Sequence, residues 1–254
     1  MPVNVLTHLD NSPFSIARHR SGTFADQSPA EARATLRDAI RSRGTARTAA
    51  SYSHGAITGS FPSNKMKAAF VVESRKEHRA LLLADVAEWV LHFSVQAVQV
   101  RFLHKGKVCN AYPDVAIETV DGQLEMWECK ANPALRAEVL DRLVSLHCAL
   151  DEIDIHYRIR FPGWLLQEPR ASNAQTIWRH ADRIITESVG RAVLQSVGSG
   201  AETLGQISEQ LDCPMTSLVA LVGQGGLAAD IHTAPLGPDT RVRAPRPGAT
   251  SGGF

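Results

Sequence analysis

The sequence predicts an α/β fold in which a mixed sheet is flanked by helices and is followed by a small helical domain. Between residues 61 and 165 the pattern of apolar residues changes in the order helix, three strands, helix, strand. A strand–helix–strand unit of this kind implies parallel pairing at one end of the sheet. From residue 170 to residue 235 the chain is helical in character.

The elements of the first region follow from the spacing of their apolar residues. Ile155, Tyr157 and Ile159 alternate with polar residues, as in a half-buried strand. Helices are predicted where apolar residues recur every three or four positions. The predicted elements are a helix over 74–86, strands over 95–102, 112–120 and 124–131, a helix over 134–150 and a strand over 153–161.

Residues 1–60 are predicted to be a poorly structured segment with one short helix, because they are rich in Ser, Ala, Thr and Arg. The helix begins after Ser28 as N-cap and ends at Gly44. One of its faces carries Arg33, Arg37 and Arg41. We interpret this face as solvated, with phosphate contact as the alternative.

The C-terminal region suggests a small winged-helix-like domain over residues 170–235. Two short helices, 203–211 and 215–222, are joined by a three-residue turn and followed by a short segment, 227–231. Residues 236–254 are rich in Pro, Gly, Thr and Arg, so we expect a disordered tail there.

Composition excludes several classes. The formal net charge is +1, so DNA contact would have to come from local basic patches. The four cysteines form no C-x-x-C pair and complete no zinc spacing, as expected for reduced thiols in the cytoplasm. No apolar run approaches the ~20 residues that span a bilayer, and the N-terminus has no signal-peptide pattern. We therefore expect a cytoplasmic protein with no membrane contact.

The candidate chemistry lies in Asp114 and in Glu128-Cys129-Lys130. Residues two apart on a strand share a face, so Glu128 and Lys130 point the same way. Two carboxylates can hold Mg²⁺ through oxygen ligands, and the metal can activate water towards a phosphodiester. A lysine beside them can stabilise the negative charge that develops on the phosphate.

The register between the two strands decides whether Asp114 joins this face. A two-residue turn at 121–122 would pair Asp114 with Cys129 and turn its side chain away. A three-residue loop over 121–123, or one bulge, pairs Asp114 with Lys130 and Ala116 with Glu128. We predict this second register, because it brings the three functional groups to one face.

Glu77 has two readings. It lies three residues after Ser74, so the pair forms the pattern of a capping box and needs no further role. It can also be a further carboxylate ligand, because the start of its helix faces the predicted strands. Glu73 is a less favoured ligand, and Gln96 by itself is an ordinary polar strand residue.

The chain resembles the TnsA-like transposon-end endonucleases, which belong to the PD-(D/E)xK, restriction-endonuclease-like superfamily. The resemblance covers residues 65–160. Two positions depart from the family pattern, Ala97 after Gln96 and Cys129 between Glu128 and Lys130. The motifs that carry the resemblance are Glu73-Ser74-Arg75-Lys76-Glu77, Leu82-Leu83-Ala84-Asp85, Val95-Gln96, Tyr112-Pro113-Asp114-Val115 and Trp127-Glu128-Cys129-Lys130.

The resemblance implies a restriction-endonuclease-like nuclease domain over 61–165, with Glu77, Asp114, Glu128 and Lys130 as catalytic positions. Asp114, Glu128 and Glu77 would hold Mg²⁺, for which Mn²⁺ would substitute. Such a protein cuts double-stranded DNA at the ends of a mobile element. Its partners are a DDE-type transposase subunit and an ATPase regulator, with the C-terminal domain as a docking and DNA-contact module.

Two other functions remain open on the sequence. A PD-(D/E)xK nuclease of restriction or repair would use identical chemistry. A non-catalytic DNA-binding adaptor could keep the nuclease fold, although intact Asp114, Glu128 and Lys130 argue against it.

Overall fold

The structure, a computed structural model, describes residues 15–17, 27–43 and 59–246, the first of these as a strand only. The strands are β1 (Ser15–Ala17), β2 (Gly59–Ser63), β3 (Ala68–Val72), β4 (Val90–Val95), β5 (Gln99–His104), β6 (Lys107–Ala111), β7 (Val115–Thr119), β8 (Leu124–Cys129), β9 (Ile155–Arg160), β10 (Ala228–Ala229) and β11 (Val242–Arg243). The helices are α1 (Pro29–Arg41), α2 (Arg75–Val86), α3 (Ala137–Asp151), α4 (Pro162–Leu165), α5 (Arg170–His180), α6 (Glu187–Gly198), α7 (Leu204–Leu211) and α8 (Met215–Gly223).

The central sheet has four strands in the order β4-β7-β8-β9. β4 pairs with β7 and β7 with β8 in antiparallel fashion, whereas β9 runs parallel to β8 after the crossover through α3. The predicted α/β class, the mixed sheet and the parallel pairing at its end are therefore confirmed.

Each face of the central sheet belongs to a different hydrophobic core. Val115, Ile117 and Trp127 pack with α2 and the C-terminal helices. Ala116 and Met126 pack with α1 and α3. This division follows from strand alternation, which sends neighbouring side chains of β7 and β8 to opposite faces. The sheet face on which a side chain of β7 or β8 lies therefore follows from whether its residue number is odd or even.

The predicted strand over 95–102 is wrong, because the structure divides this stretch between two sheets. β4 ends at Val95 and pairs with β7, whereas β5 begins at Gln99 and pairs with β1 and β6. Gln96 separates them with φ of +44°, in the left-handed region that few side chains adopt. Every residue from 93 to 100 is buried. The polar residues Ser94, Gln96 and Gln99 are buried together with the apolar ones, so polarity in the sequence does not mark the boundary between the two strands.

The sequence suggested that the arginines of α1 form a solvated face, and the structure shows that this interpretation is wrong. Arg37 and Arg41 both bind the carboxylate of Glu118 on β7, with nitrogen–oxygen distances of 2.6 to 3.1 Å. Glu118 is only 2% exposed. Arg33 donates to the carbonyl oxygen of Ile153 at 3.0 Å. These arginines fasten α1 to the sheet and to the loop before β9.

The C-terminal helices pack on α2 through α5 and α8. Leu81 of α2, Ile177 of α5 and Leu221 of α8 share one hydrophobic core. A Cβ atom added at Gly223 would lie 2.6 Å from the Cβ of Ala181. The glycine therefore permits the close approach of α8 to the end of α5.

The predicted helix–turn–helix elements are present as α7 and α8, and a short antiparallel ribbon of β10 and β11 follows them. The disorder predicted from residue 236 onward is wrong for residues 236–246. This stretch contains β11, and Asn173 accepts a hydrogen bond from the backbone N–H of Leu236. The rest of the predicted tail lies outside the described residues. Across the described ranges, no helix has the length and apolar character needed to cross a membrane.

Candidate active site

Asp114 is fixed by the backbone at one end of the central sheet. It lies one residue before β7, next to the buried Pro113. The backbone N–H of Gln96 donates to the carbonyl oxygen of Asp114 at 3.0 Å, which closes the last rung between β4 and β7. The carboxylate oxygen Oδ2 of Asp114 accepts a hydrogen bond of 2.6 Å from the backbone N–H of Cys129. Both its backbone and its side chain are thus tied to neighbouring strands.

Glu128 lies on the next strand, β8, and Lys130 directly follows the end of that strand. Their side chains contact each other. The Nζ atom of Lys130 is 2.5 Å from Oε1 of Glu128. The backbone N–H of Lys130 donates to the carbonyl oxygen of Arg160 at 3.0 Å, so the pairing with β9 continues to this residue. The side chain of Glu128 is 15% exposed and that of Lys130 is 28% exposed. The ion pair is therefore sheltered but reachable from solvent.

The predicted pairing of Asp114 with Lys130 is wrong, but the predicted common face is correct. Val115 pairs with Trp127, so one further step along the strands sets Asp114 opposite Glu128. The loop is closed earlier than predicted, because the backbone N–H of Thr119 donates to the carbonyl oxygen of Gln123 at 3.0 Å. The resulting shift of two residues preserves the face on which every side chain lies.

The structure places Glu77 in the first turn of α2, where it caps the helix. Its Oε1 accepts a hydrogen bond of 2.7 Å from the hydroxyl of Ser74, and its Oε2 accepts one of 2.9 Å from the backbone N–H of Glu73. The residue is 8% exposed. Both carboxylate oxygens therefore serve the cap in this arrangement. The charge of Glu77 still acts on Asp114, whose pKa it helps to raise.

The electrostatics of the site centre on Asp114. Burial is the largest cause that raises its pKa, to about 7, and the negative charge of Glu128 is the next. The hydrogen bond from the Cys129 amide and the charge of Lys130 act in the opposite direction. Two carboxylates in a poorly solvated place repel each other, so the pair favours a bound proton or cation.

Tyr157 is a neighbour of this site that the sequence did not reveal. It lies beside Met126 in the parallel pairing of β8 and β9, on the same face as Glu128. Its side chain is buried, and within the described part of the chain its hydroxyl has no hydrogen-bond partner. Burial raises its pKa, and the charges of Glu128 and Asp114 raise it further. No sequence signal could have found it, because only the register of β9 brings it here.

The donor set fits a hard cation that keeps part of its water shell. Within residues 27–43 and 59–246, no group of three or more His, Cys, Asp or Glu side chains is arranged to hold a metal ion. Mg²⁺ in enzymes, however, is commonly held by one or two carboxylates together with waters and substrate phosphates. Asp114 and Glu128 are two such carboxylates, and their mutual repulsion would be relieved by a divalent cation.

No family model and no curated protein matches the chain. Any function assigned to it therefore rests on the chemistry of Asp114, Glu128 and Lys130 and on the motifs around them.

Proposed function

We propose that the chain is a magnesium-dependent DNA endonuclease of the PD-(D/E)xK type. The observation that carries this proposal is the placement of Asp114 opposite Glu128, with the Lys130 ammonium 2.5 Å from Glu128. Paired carboxylates supply a cation site, and the adjacent ammonium supplies a positive group beside it. Hydrolysis of a phosphodiester needs both.

Each side chain has a defined task in this proposal. Asp114 and Glu128 hold Mg²⁺, for which Mn²⁺ substitutes. When bound, the metal polarises a phosphate oxygen and lowers the pKa of a bound water. Lys130 stabilises the negative charge that develops on the phosphate, and its ion pair with Glu128 keeps the ammonium in place. The burial of Asp114 keeps bulk water away, which strengthens these interactions.

Glu77 is proposed as a third carboxylate of the site, through its charge or as a ligand. Direct ligation would require at least one of its oxygens to leave Ser74 or the amide of Glu73. Glu77 is close enough to Asp114 for the two charges to interact. This closeness supports a functional role for Glu77.

The proposed fold is restriction-endonuclease-like. Its support is the four-stranded sheet in the order β4-β7-β8-β9, with α2 on one face and α3 on the other. The carboxylates lie where β7 begins and β8 ends. For the C-terminal region we propose a winged-helix-like module, supported by α7, α8 and the ribbon of β10 and β11.

Helix α8 gives little support for base reading by this module. Residues Leu218–Gly223 of α8 are buried, and the helix contains no Lys or Arg. Strand β11 of the ribbon instead carries the exposed Arg243, and the exposed Arg241 directly precedes it. We propose that α8 serves packing and that any DNA contact of the module comes from the ribbon.

The substrate that we propose is double-stranded DNA at the ends of a mobile element, cut by a TnsA-like subunit of a heteromeric transposase. The support is the order and spacing of the motifs from Glu73 to Lys130. A DDE-type transposase would cut the other strand, and an ATPase would regulate both. A cytoplasmic location is also proposed, since all four cysteines are free thiols.

Two experiments test the proposal at its two levels. Cleavage of supercoiled DNA with Mg²⁺ tests the chemistry, with Lys130→Ala against Lys107→Ala, an exposed lysine on β6. We expect Lys130→Ala to lose about 10²-fold or more in rate and Lys107→Ala to cleave normally. Equal rates would remove Lys130 from the mechanism.

Co-purification with a candidate transposase and ATPase, followed by mapping of cleaved ends, separates transposition from restriction or repair.

A non-catalytic adaptor is the second candidate, and one observation favours it. Both oxygens of Glu77 are engaged in the helix cap, which leaves Asp114 and Glu128 as the available carboxylates. An adaptor would bind DNA but would bind neither Mg²⁺ nor Mn²⁺ at this site. Metal titration therefore separates the two functions.

A further inference from the structure

A cleft lies on the face of the sheet opposite to Glu128, between α2, the start of α5 and the C-terminal ribbon. Its volume is about 650 Å³, within the range of small-molecule sites. Trp127 forms part of its wall, and strand alternation sends this side chain away from the face of Glu128. The cleft is therefore separate from the carboxylate site.

Two partly exposed tryptophans, Trp89 and Trp164, form the wall of the cleft, with the almost fully buried Trp127 packed between them. Trp89, Trp127 and Trp164 all line it, with ring centroids 6.1 Å apart for the first two and 5.3 Å apart for the last two. The Arg160 guanidinium lies 4.6 Å from the Trp127 ring and 3.9 Å from the Trp164 ring, and that of Arg170 lies 4.1 Å from Trp164. These cation–π contacts hold the aromatic wall in one geometry.

Two polar atoms of the lining lack hydrogen-bond partners. Glu88 Oε2 and Arg170 Nε are buried, and no described residue bonds to either atom. Buried polar atoms are usually satisfied, so these two need an explanation. One is an acceptor and the other is a donor. A ligand with an N–H group near the first and an anionic oxygen near the second would satisfy both.

The charge of the cleft favours an anion. Five Lys or Arg residues line it, against three Asp or Glu residues. Within this set Arg243 is paired with Glu88, and Lys65 donates to the carbonyl oxygens of Ala87 and Val90. Lys67 and Arg241 are exposed at the rim. The cleft thus combines an aromatic wall, a cationic rim and an unmet carboxylate oxygen.

We infer that this cleft binds a nucleoside phosphate. The base would lie against the tryptophan wall, its amino group would donate to Glu88, and its phosphate would meet Arg170 and the cationic rim. An apolar ligand would leave the two polar atoms without hydrogen-bond partners. Inorganic phosphate would contact neither the aromatic wall nor Glu88. A nucleotide satisfies all three features together.

The nucleotide could be free in solution or could be the terminal unit of a DNA strand. The recognition chemistry is the same in both cases. The inference does not depend on the proposed nuclease activity, because the cleft lies on the other face of the sheet and its test measures binding alone. Asp114→Ala should bind nucleotide as the wild type does, which keeps the two proposals distinguishable.

Intrinsic fluorescence offers a direct test, because three of the chain's four tryptophans line the cleft. Titration of the full chain with dAMP should give a saturable change that calorimetry confirms. Deoxyadenosine and inorganic phosphate should each bind at least tenfold more weakly than dAMP. A 5′-phosphorylated oligonucleotide that displaces dAMP at lower concentration would identify a strand end as the source, and failure to do so would identify the free nucleotide.

Substitutions localise the binding. Arg241→Ala and Glu88→Gln should each weaken dAMP binding at least fivefold. Arg179→Ala, an exposed arginine at the other end of α5, should bind as the wild type does. The inference is overturned if dAMP gives no saturable signal, if inorganic phosphate binds as well as dAMP, or if Arg241→Ala and Arg179→Ala behave alike.

Discussion

Asp114 lies opposite Glu128 across the β7–β8 pair, and the two carboxylates approach each other where solvent is scarce. Without a bound cation, the proximity of the two carboxylates destabilises the folded protein. This destabilisation is reflected in the pKa of Asp114, which burial, and then the charge of Glu128, raise to about 7. A cation at the same place turns the repulsion into attraction.

Asp114→Asn should stabilise the metal-free protein at neutral pH. The folded pKa of Asp114, about 7, lies above its ordinary value of 3.8, so the wild type loses stability as pH rises from about 4 to about 7. The asparagine can still accept the hydrogen bond from Cys129 and has no charge to bury. We expect a gain of a few kcal/mol at pH 8, on the order of 5 °C in Tm, and none near pH 4.

Thermal melts across this pH range, without metal, measure the difference. Asp141→Asn is the matched control, because Asp141 is bound to Lys105, which lowers its pKa, and its substitution should give no gain. A wild type as stable as Asp114→Asn at pH 8 would show that Asp114 carries no electrostatic cost.

Glu77→Gln separates the two readings of Glu77. As a cap it accepts hydrogen bonds from Ser74 and from the amide of Glu73, and glutamine keeps one acceptor oxygen, so the loss of stability should be about 1 kcal/mol. As part of the active site it contributes negative charge, and glutamine removes that charge. We expect cleavage to be abolished with little change in Tm. An active variant would return Glu77 to the cap alone.

Glu118→Gln should destabilise the fold and loosen α1. Burial by itself would raise the pKa of Glu118, but the hydrogen bonds and charges of Arg41 and His92 outweigh it and lower the pKa. This contribution to stability is therefore present above the ordinary pKa and is lost as pH falls through the lowered one. Removing the buried carboxylate leaves Arg37 and Arg41 without their partner, at a cost of about 2 kcal/mol.

Hydrogen exchange reports on this anchor. Amides of α1 should exchange faster in Glu118→Gln than in the wild type, while those of α5 should not change. Exchange that rises equally in both helices would mean that Glu118 stabilises the whole fold rather than the attachment of α1.

Gly223→Ala should disturb the contact between α5 and α8. The added methyl group would lie 2.6 Å from Ala181 and 3.1 Å from Ile177, so the helices must move apart. Overpacking of this kind costs about 1–3 kcal/mol. Gly198→Ala is the matched control, because no atom lies within 4 Å of its added Cβ. Denaturant unfolding of both variants measures the difference, and equal midpoints would contradict the close approach.

The parts of the fold that the sequence predicted are those with clear periodicity. The spacing of apolar residues located α2, β7, β8, α3 and β9. It missed β2, where Pro62 argues against a strand, and also β3, β6 and most of β4. The strand predicted over 95–102 ran across the boundary between β4 and β5, because residues 93–100 are buried whatever their polarity. Local pattern carries no information on which sheet a wholly buried stretch enters.

The residues of the candidate site likewise fall into those that the local sequence pattern placed correctly and those that it could not place. Glu128 and Lys130 share a face because they are two residues apart. To place Asp114 on the same face, it was enough to know that the β7–β8 hairpin pairs it with an even-numbered residue of the next strand. Tyr157 was out of reach, since a crossover through α3 brings it to the site. The role of Arg37 and Arg41 was also hidden, because their partner, Glu118, lies about 80 residues further along the chain.

Calorimetric titration with Mn²⁺ tests the central claim most directly, which is that Asp114 and Glu128 form a divalent-cation site. The wild type should bind the ion, Asp114→Ala and Glu128→Gln should not, and Lys130→Ala should still bind because both carboxylates remain. All four proteins should be folded, as melting curves will show. Binding that is the same in Asp114→Ala and in the wild type would contradict the account.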